Sequence, residues 1–148
     1  MPHQNLVVEL TFRLYGFVKA HRLGHLLVAP TDVLLSPYDI VQPDLLFVSN
    51  QQAPIVGLKN IGGAPDLVIE ILSRSTRKLD ERLKLRAYER YGVREYWIFD
   101  PARKGVQRRE RSGERLVSTP FLSASSQDVL ATPLLPGFEL PLAEIFED

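Results

Sequence analysis

Asp44, Glu70 and Lys84 are the residues of this chain best suited to chemistry. The two carboxylates interrupt apolar, strand-like runs, Ile40 to Val48 and Leu67 to Leu72. Lys84 and its neighbour Asp80 fall on a helical segment, among residues expected to face a core. A charged side chain inside a core-forming element is costly unless it is paired or bound to a metal. Two acids that converge on a divalent cation, together with a lysine, form the set that phosphodiester hydrolysis requires. The cation activates water and neutralises phosphate charge, and the lysine stabilises what develops in the transition state.

Each of these residues has a plainer reading beside the chemical one. Strand alternation sets Asp66, Val68, Glu70 and Leu72 on one face and Leu67, Ile69 and Ile71 on the other. Both faces are largely apolar, which predicts a central strand, where a glutamate without a partner is rare. Pairing with an arginine is the structural alternative for Glu70. Asp44 follows Pro43 in mid-strand, where aspartate is depleted. Its alternative is a bulge at Gln42-Pro43-Asp44, with Asp44 capping a local backbone group. In the helix, about 100° per residue gathers Leu79, Leu83, Ala87, Tyr88 and Tyr91 into one arc. Asp80 and Lys84 project inside it, and Glu81, Arg82, Leu85 and Glu89 take the opposite side. As a surface pair four residues apart, Asp80 and Lys84 would contribute only roughly 0.2–0.5 kcal/mol. Glu9, beside the apolar stripe of the first helix, offers a third acid; a solvated glutamate is the plainer reading.

The elements that must position these residues follow from periodicity. Leu6, Leu10, Leu14, Phe17 and Val18 predict a helix over 5–20. Short strands are expected at 26–28 and 33–35, with a turn at Ser36-Pro37-Tyr38-Asp39. Strands at 40–48 and 66–72 come next, and Pro43 suggests an edge or a bulge in the first. Ser73-Arg74-Ser75-Thr76 supplies capping hydroxyls for a helix over 77–91, ended by Gly92. A strand at 93–99 and a hairpin around Ser112-Gly113 complete the body, with Leu134-Leu135-Pro136-Gly137-Phe138 packing back on it. Tyr96, Trp97 and Phe99 read as core packing rather than base stacking. His21 and His25 are four apart with Gly24 between them and no evident third ligand, so they read as turn or surface residues. The order of elements predicts a mixed sheet with helices packed on it, an α/β or α+β fold.

The 148 residues suit a single domain over 1–148. Lys+Arg and Asp+Glu both number 18, a balance that argues against a nonspecific nucleic-acid coat protein. The charge is unevenly spread. Arg74 to Arg90 holds seven basic and three acidic residues and Arg103 to Arg115 six and two, so two local regions could meet a phosphate backbone. Solvated surface is the plainer reading of either. No apolar run nears the roughly 20 residues of a membrane span. There is no signal-peptide pattern and no cysteine, which makes the cytoplasm the expected location.

Several segments together resemble the Uma-two-type restriction endonuclease domains, relatives of the PD-(D/E)XK nucleases. They are Val41-Gln42-Pro43-Asp44-Leu45, Gly63-Ala64-Pro65-Asp66-Leu67-Val68-Ile69-Glu70-Ile71-Leu72-Ser73 with Ser75-Thr76, Asp80 with Lys84, Tyr88 with Gly92-Val93, Glu95-Tyr96-Trp97-Ile98-Phe99-Asp100-Pro101, and the closing Leu134-Leu135-Pro136-Gly137-Phe138. The resemblance implies a restriction-endonuclease-like core, a mixed central sheet flanked by helices with a C-terminal hairpin. Asp44 and Glu70 would be its paired acids. Many such nucleases carry a lysine two residues after the second acid; here that position is Leu72, and Lys84 from the helix is the expected substitute. Arg74 stands where the family usually has proline. The chain also starts late, at what resembles the family's first long helix.

What the resemblance implies is a magnesium-dependent endonuclease acting on DNA, dimeric so that two sites cut two strands. Asp44 and Glu70 would hold Mg2+ (or Mn2+) through oxygen ligands at about 2.0–2.1 Å. Lys84 would orient the attacking water and stabilise the transition-state oxygens, with Asp80 holding Lys84 in place or lending further negative charge to the site. Glu9 would bind a second metal, and Gln42 would position substrate or water. Two other readings stay open: a catalytically inactive module on the same fold that binds nucleic acid or a protein partner, and an RNA-directed nuclease.

Overall fold

A computed structural model describes residues 2–73 and 78–146; the side chains of residues 2 and 78–80 lie outside the description. Helix α1 (Pro2–Ala20) leads into β1 (Gly24–Val28), a small β2–β3 hairpin (Val33–Leu34, Ile40–Val41) and β4 (Leu45–Ser49). A 3₁₀ segment (Asn50–Ile55) precedes β5 (Leu67–Ile71), which continues through α2 (Lys78–Tyr91) to β6 (Glu95–Asp100). Then come β7 (Gly105–Ser112), β8 (Arg115–Ser118), β9 (Leu122–Ser123), β10 (Val129–Leu130), β11 (Leu140–Pro141) and the short α3 (Leu142–Ile145).

The main sheet runs β1-β4-β5-β6-β7-β8, with β9 beside β7. Its pairings are antiparallel except β5–β6, which are parallel and joined by the α2 crossover. β5 is interior, as its two apolar faces predict. Leu45, Phe47, Leu67, Ile69, Ile71, Trp97 and Phe99 pack on one face beneath α1 and the returning C-terminal segment. Leu46, Val48, Val68 and Tyr96 pack on the other, beneath α2 and the β2–β3 hairpin. Trp97 and Phe99 are fully buried, which fits their reading as core residues.

Two local expectations change. The expected 40–48 strand is two strands. Pro43 has no N–H to give a ladder, and the chain leaves the small β2–β3 sheet at Val41 before joining the main sheet at Leu45. The inward arc of α2 is also rotated. Leu83 is 56% exposed, whereas Leu85, placed opposite on the wheel, packs with Ala87, Tyr91 and fully buried Tyr88 against the sheet. Tyr88 is the one of these that is fully buried, and seating its ring turns Leu83 outward. Glu89 likewise looks inward, accepting the Leu116 N–H at 2.8 Å. Gly92 ends α2 at φ +94°, a conformation that suits glycine. The capping residues expected at 74–76 lie outside the described residues.

Candidate active site

The β4–β5 register pairs Leu46 with Val68 and Leu45 with Ile69. Extending it by one residue sets Asp44 opposite Glu70, on the α2 side of the sheet. Sequence reasoning placed both acids in one long strand environment each. The structure instead puts Asp44 just outside β4, where it caps the neighbouring strand: its Oδ2 accepts the Ile71 N–H at 2.8 Å. Asp44 thus caps a backbone group, but one on the neighbouring strand rather than a local one, and the Gln42-Pro43-Asp44 stretch is a break between two strands rather than a bulge. His3, in the first turn of α1, brings Nε2 to 3.7 Å from the same oxygen.

Glu70 is held from three directions. Lys84 Nζ donates to its Oε1 at 2.6 Å. Tyr88 Oη donates to Oε2 at 2.8 Å, and Tyr96 Oη lies 3.4 Å from that oxygen. Lys84 and Tyr88 are four apart on α2, so one helix face delivers both. The partners of Glu70 are thus a lysine and two tyrosines rather than an arginine. The Glu70 side chain is 12% exposed and that of Lys84 32%. Asp44 is more open at 25%. The acids therefore form a recessed pair with an open flank, and Lys84 stands at its edge.

The remaining candidates sit apart. Glu9 accepts from Arg13 Nε at 2.9 Å, and Arg13 also reaches Glu144 at 2.8 Å. These two acids, Glu144 foremost, hold the guanidinium pKa above its usual value. Glu9 is thus engaged along α1. Gln42 donates to Asp32 Oδ1 at 2.5 Å on the β2–β3 side. The Asp80 side chain lies outside the described residues. His21 stacks on Phe17 and His25 is exposed, in keeping with turn and surface roles. Among the described residues no group of three His, Asp or Glu side chains is gathered closely enough to hold a cation.

Sequence reasoning missed three contributors. Tyr88 and Tyr96 were taken as apolar core, yet their hydroxyls meet Glu70. The signal for Tyr88 was its spacing of four from Lys84. His3 had no comparable signal, since only folding brings the first turn of α1 to Asp44. Two further buried acids are structural. Asp66 accepts the Ser49 N–H at 2.6 Å. Glu95 takes hydrogen bonds from Trp97 Nε1 at 2.9 Å and Thr132 Oγ1 at 2.5 Å, with Arg108 at 3.0 Å.

A groove of about 680 Å3 adjoins Lys84, between α2 and the β2–β3 hairpin. Tyr91 Oη donates to Asp39 Oδ2 at 2.7 Å and ties its two walls together. That bond first, and one from Ser36 second, hold the Asp39 carboxyl below its usual range.

A mixed sheet that sets two acids side by side, with a lysine delivered by the crossover helix, fits the restriction-endonuclease-like core that the sequence resemblance implies. Residues 1–143 match the Uma2 family, "Putative restriction endonuclease", and the chain belongs to that family. A crystal structure of a putative nuclease belonging to DUF820 from Anabaena variabilis ATCC 29413 shares the fold. It matches with a TM-score of 0.80 and 17% identity, over 99% of this chain and 80% of that one. No curated protein matches the sequence. No helix among the described residues is long and apolar enough to cross a membrane.

Proposed function

We propose that this protein is a divalent-cation-dependent endonuclease acting on DNA, with Asp44, Glu70 and Lys84 as its working residues. The observation that carries the reading is the Lys84–Glu70 contact at 2.6 Å, by which α2 brings a lysine to the second acid where Leu72, just past β5, supplies none. The donor set suits magnesium or manganese. Both acids offer hard oxygen ligands. Each carboxylate oxygen has two lone pairs, so the contacts described leave coordination capacity on both. When bound, such a cation supplies an activated water and neutralises charge on the phosphate. The Ile71 N–H fixes the Asp44 carboxylate in rotation. Tyr88 fixes that of Glu70. Lys84 places a positive charge where the phosphate oxygens gain negative charge, a contribution of the kind worth about 10²–10³ in rate. Two protomers working as a homodimer would cut the two strands.

The test is cleavage of supercoiled plasmid with magnesium or manganese. Nicking that EDTA abolishes is expected from the wild type. Glu70→Ala should leave no measurable activity, and Lys84→Ala should lose about 10²–10³-fold. Full activity in Glu70→Ala would sink the reading. One observation favours an inactive binding module instead: both Glu70 oxygens accept hydrogen bonds from protein donors. Titration of Mg2+ by calorimetry separates the two readings, since only the nuclease requires the ion at this site. Cleavage of RNA but not plasmid would redirect the reading to an RNA substrate.

A further inference from the structure

The groove beside Lys84 has a lining that a phosphate would avoid. Asp32, Asp39 and Gln42 supply its polar groups, and Tyr38, Ile40, Val41, Leu83 and Ala87 its apolar ones. Asp39 is an anion, paired by hydrogen bonds from Ser36 Oγ at 2.9 Å and Tyr91 Oη at 2.7 Å. Asp32 takes the Gln42 amide N–H, which fixes how that amide faces the groove. Among the groove's described lining residues Lys84 alone is basic, and Arg90 acts on Asp39 from beyond the lining. A phosphodiester drawn to Lys84 is therefore repelled from the rest of the groove, and what extends into it must be neutral and rich in N–H donors.

The groove is also built in advance. Ser36 Oγ accepts the N–H groups of Tyr38 and Asp39, both at 3.1 Å, and the Leu35 N–H meets the Asp39 carbonyl at 2.9 Å. This turn, with Pro37 restricting its backbone, presents Tyr38 with 92% of its surface exposed. Ile40 and Leu83 are 57% and 56% exposed beside it. A solvent-facing aromatic ring on a hydrogen-bonded turn, lining the same groove as a lysine, matches the parts used to stack a nucleobase. The volume falls within the roughly 300–1,000 Å3 of small-ligand pockets.

Resting on the nuclease reading above, we propose that this groove receives the nucleobase adjoining the cleaved phosphate. Tyr38 stacks on it, and Asp32, Asp39 and Gln42 favour a base that carries an exocyclic amino group. The occupant is thus an unpaired or flipped cytosine, adenine or guanine, and thymine and uracil, which lack that donor group, fit less well.

The test is fluorescence anisotropy of short labelled single strands of cytidine or thymidine deoxynucleotides, with calcium replacing magnesium to slow turnover. The wild type should bind the cytidine strand several-fold tighter than the thymidine strand. Tyr38→Ala should weaken binding to both by about tenfold, and Tyr38→Trp should retain it. Asp32→Ala should erase the preference between strands. Tyr38 and Asp32 are both exposed, so these variants should fold; circular dichroism checks that they do. Equal affinity of the wild type for both strands, or unchanged binding in Tyr38→Ala, overturns the pocket. So does absence of binding, and plasmid nicking then decides separately whether the nuclease reading stands.

Discussion

Tyr88 joins two jobs in one side chain. Its ring is fully buried against Tyr96, with centroids 4.9 Å apart, and its hydroxyl donates to Glu70. Tyr88→Phe keeps the packing and removes only the donor. Losing a hydrogen bond to a charged group costs about 1.5–3 kcal/mol, which urea unfolding would read as a lower midpoint at unchanged slope. Plasmid nicking should fall as well, by less than in Glu70→Ala, because Lys84 still orients one carboxylate oxygen. A Tyr88→Phe protein as stable and as active as wild type would remove this tyrosine from the site. At this scale the sequence told a good deal. Asp44, Glu70 and Lys84 declared themselves because charge inside apolar elements demands a partner. The hydroxyls of Tyr88 and Tyr96 did not, since a tyrosine in a core carries no comparable penalty until its oxygen is located.

At the scale of the element, α2 is held to the β2–β3 hairpin through Tyr91 and Asp39. Because Asp39 titrates below its usual value of 3.8 in the folded protein, its ionised form favours folding. That contribution is complete above the unfolded value and disappears as pH falls through the lower folded one. Tyr91→Phe removes the largest cause of the shift. The stability gap between wild type and Tyr91→Phe should therefore be widest above about pH 5 and narrow towards pH 3, read from urea midpoints across that range. A gap independent of pH would mean that the tyrosine acts through packing alone. The helix itself was legible from its periodicity, but its rotation was not. A wheel ranks Leu83 and Leu85 by angle alone. The fold ranks them by what must fit beneath, and the Tyr88 ring together with the Lys84–Glu70 contact decides that Leu85 faces in and Leu83 borders the groove. The split at Pro43 is similar: proline marked a disturbance, while only the pairing of β3 with β2 showed that the run belongs to two sheets.

At the scale of the molecule, the central sheet separates chemistry from support. The α2 face carries Glu70, Lys84 and the groove, and the α1 face carries most of the large core. That second face draws Leu130, Leu135, Phe138, Leu140 and Leu142 from the C-terminal segment, all buried. Each such burial is worth about 1.5–3 kcal/mol, against a typical total stability of about 5–15 kcal/mol. Ending the chain after Gln127 should therefore abolish folding, although every proposed working residue is retained, and it would also strip Thr132 from buried Glu95. Far-ultraviolet circular dichroism and size-exclusion chromatography would show this; a compact, cooperative 1–127 fragment would contradict it. The sequence pointed to this return through the apolar run Leu134 to Phe138. It did not show that the run closes the same layer as α1, a long-range pairing that no local pattern records.

That pairing has a consequence for time. Phe17, made early, meets Phe138, made late, with ring centroids 5.2 Å apart. Chains emerge from the ribosome N-terminus first, at about 5–20 residues per second. The inner face of α1, which β1, β4 and β5 cover only in part, thus waits several seconds for the rest of its partners after Asp44, Glu70 and Lys84 have all been synthesised. The layer beneath α1 closes after the layer that carries the proposed working residues has been made, so the order of synthesis itself postpones the complete fold until residues 130–146 have joined it.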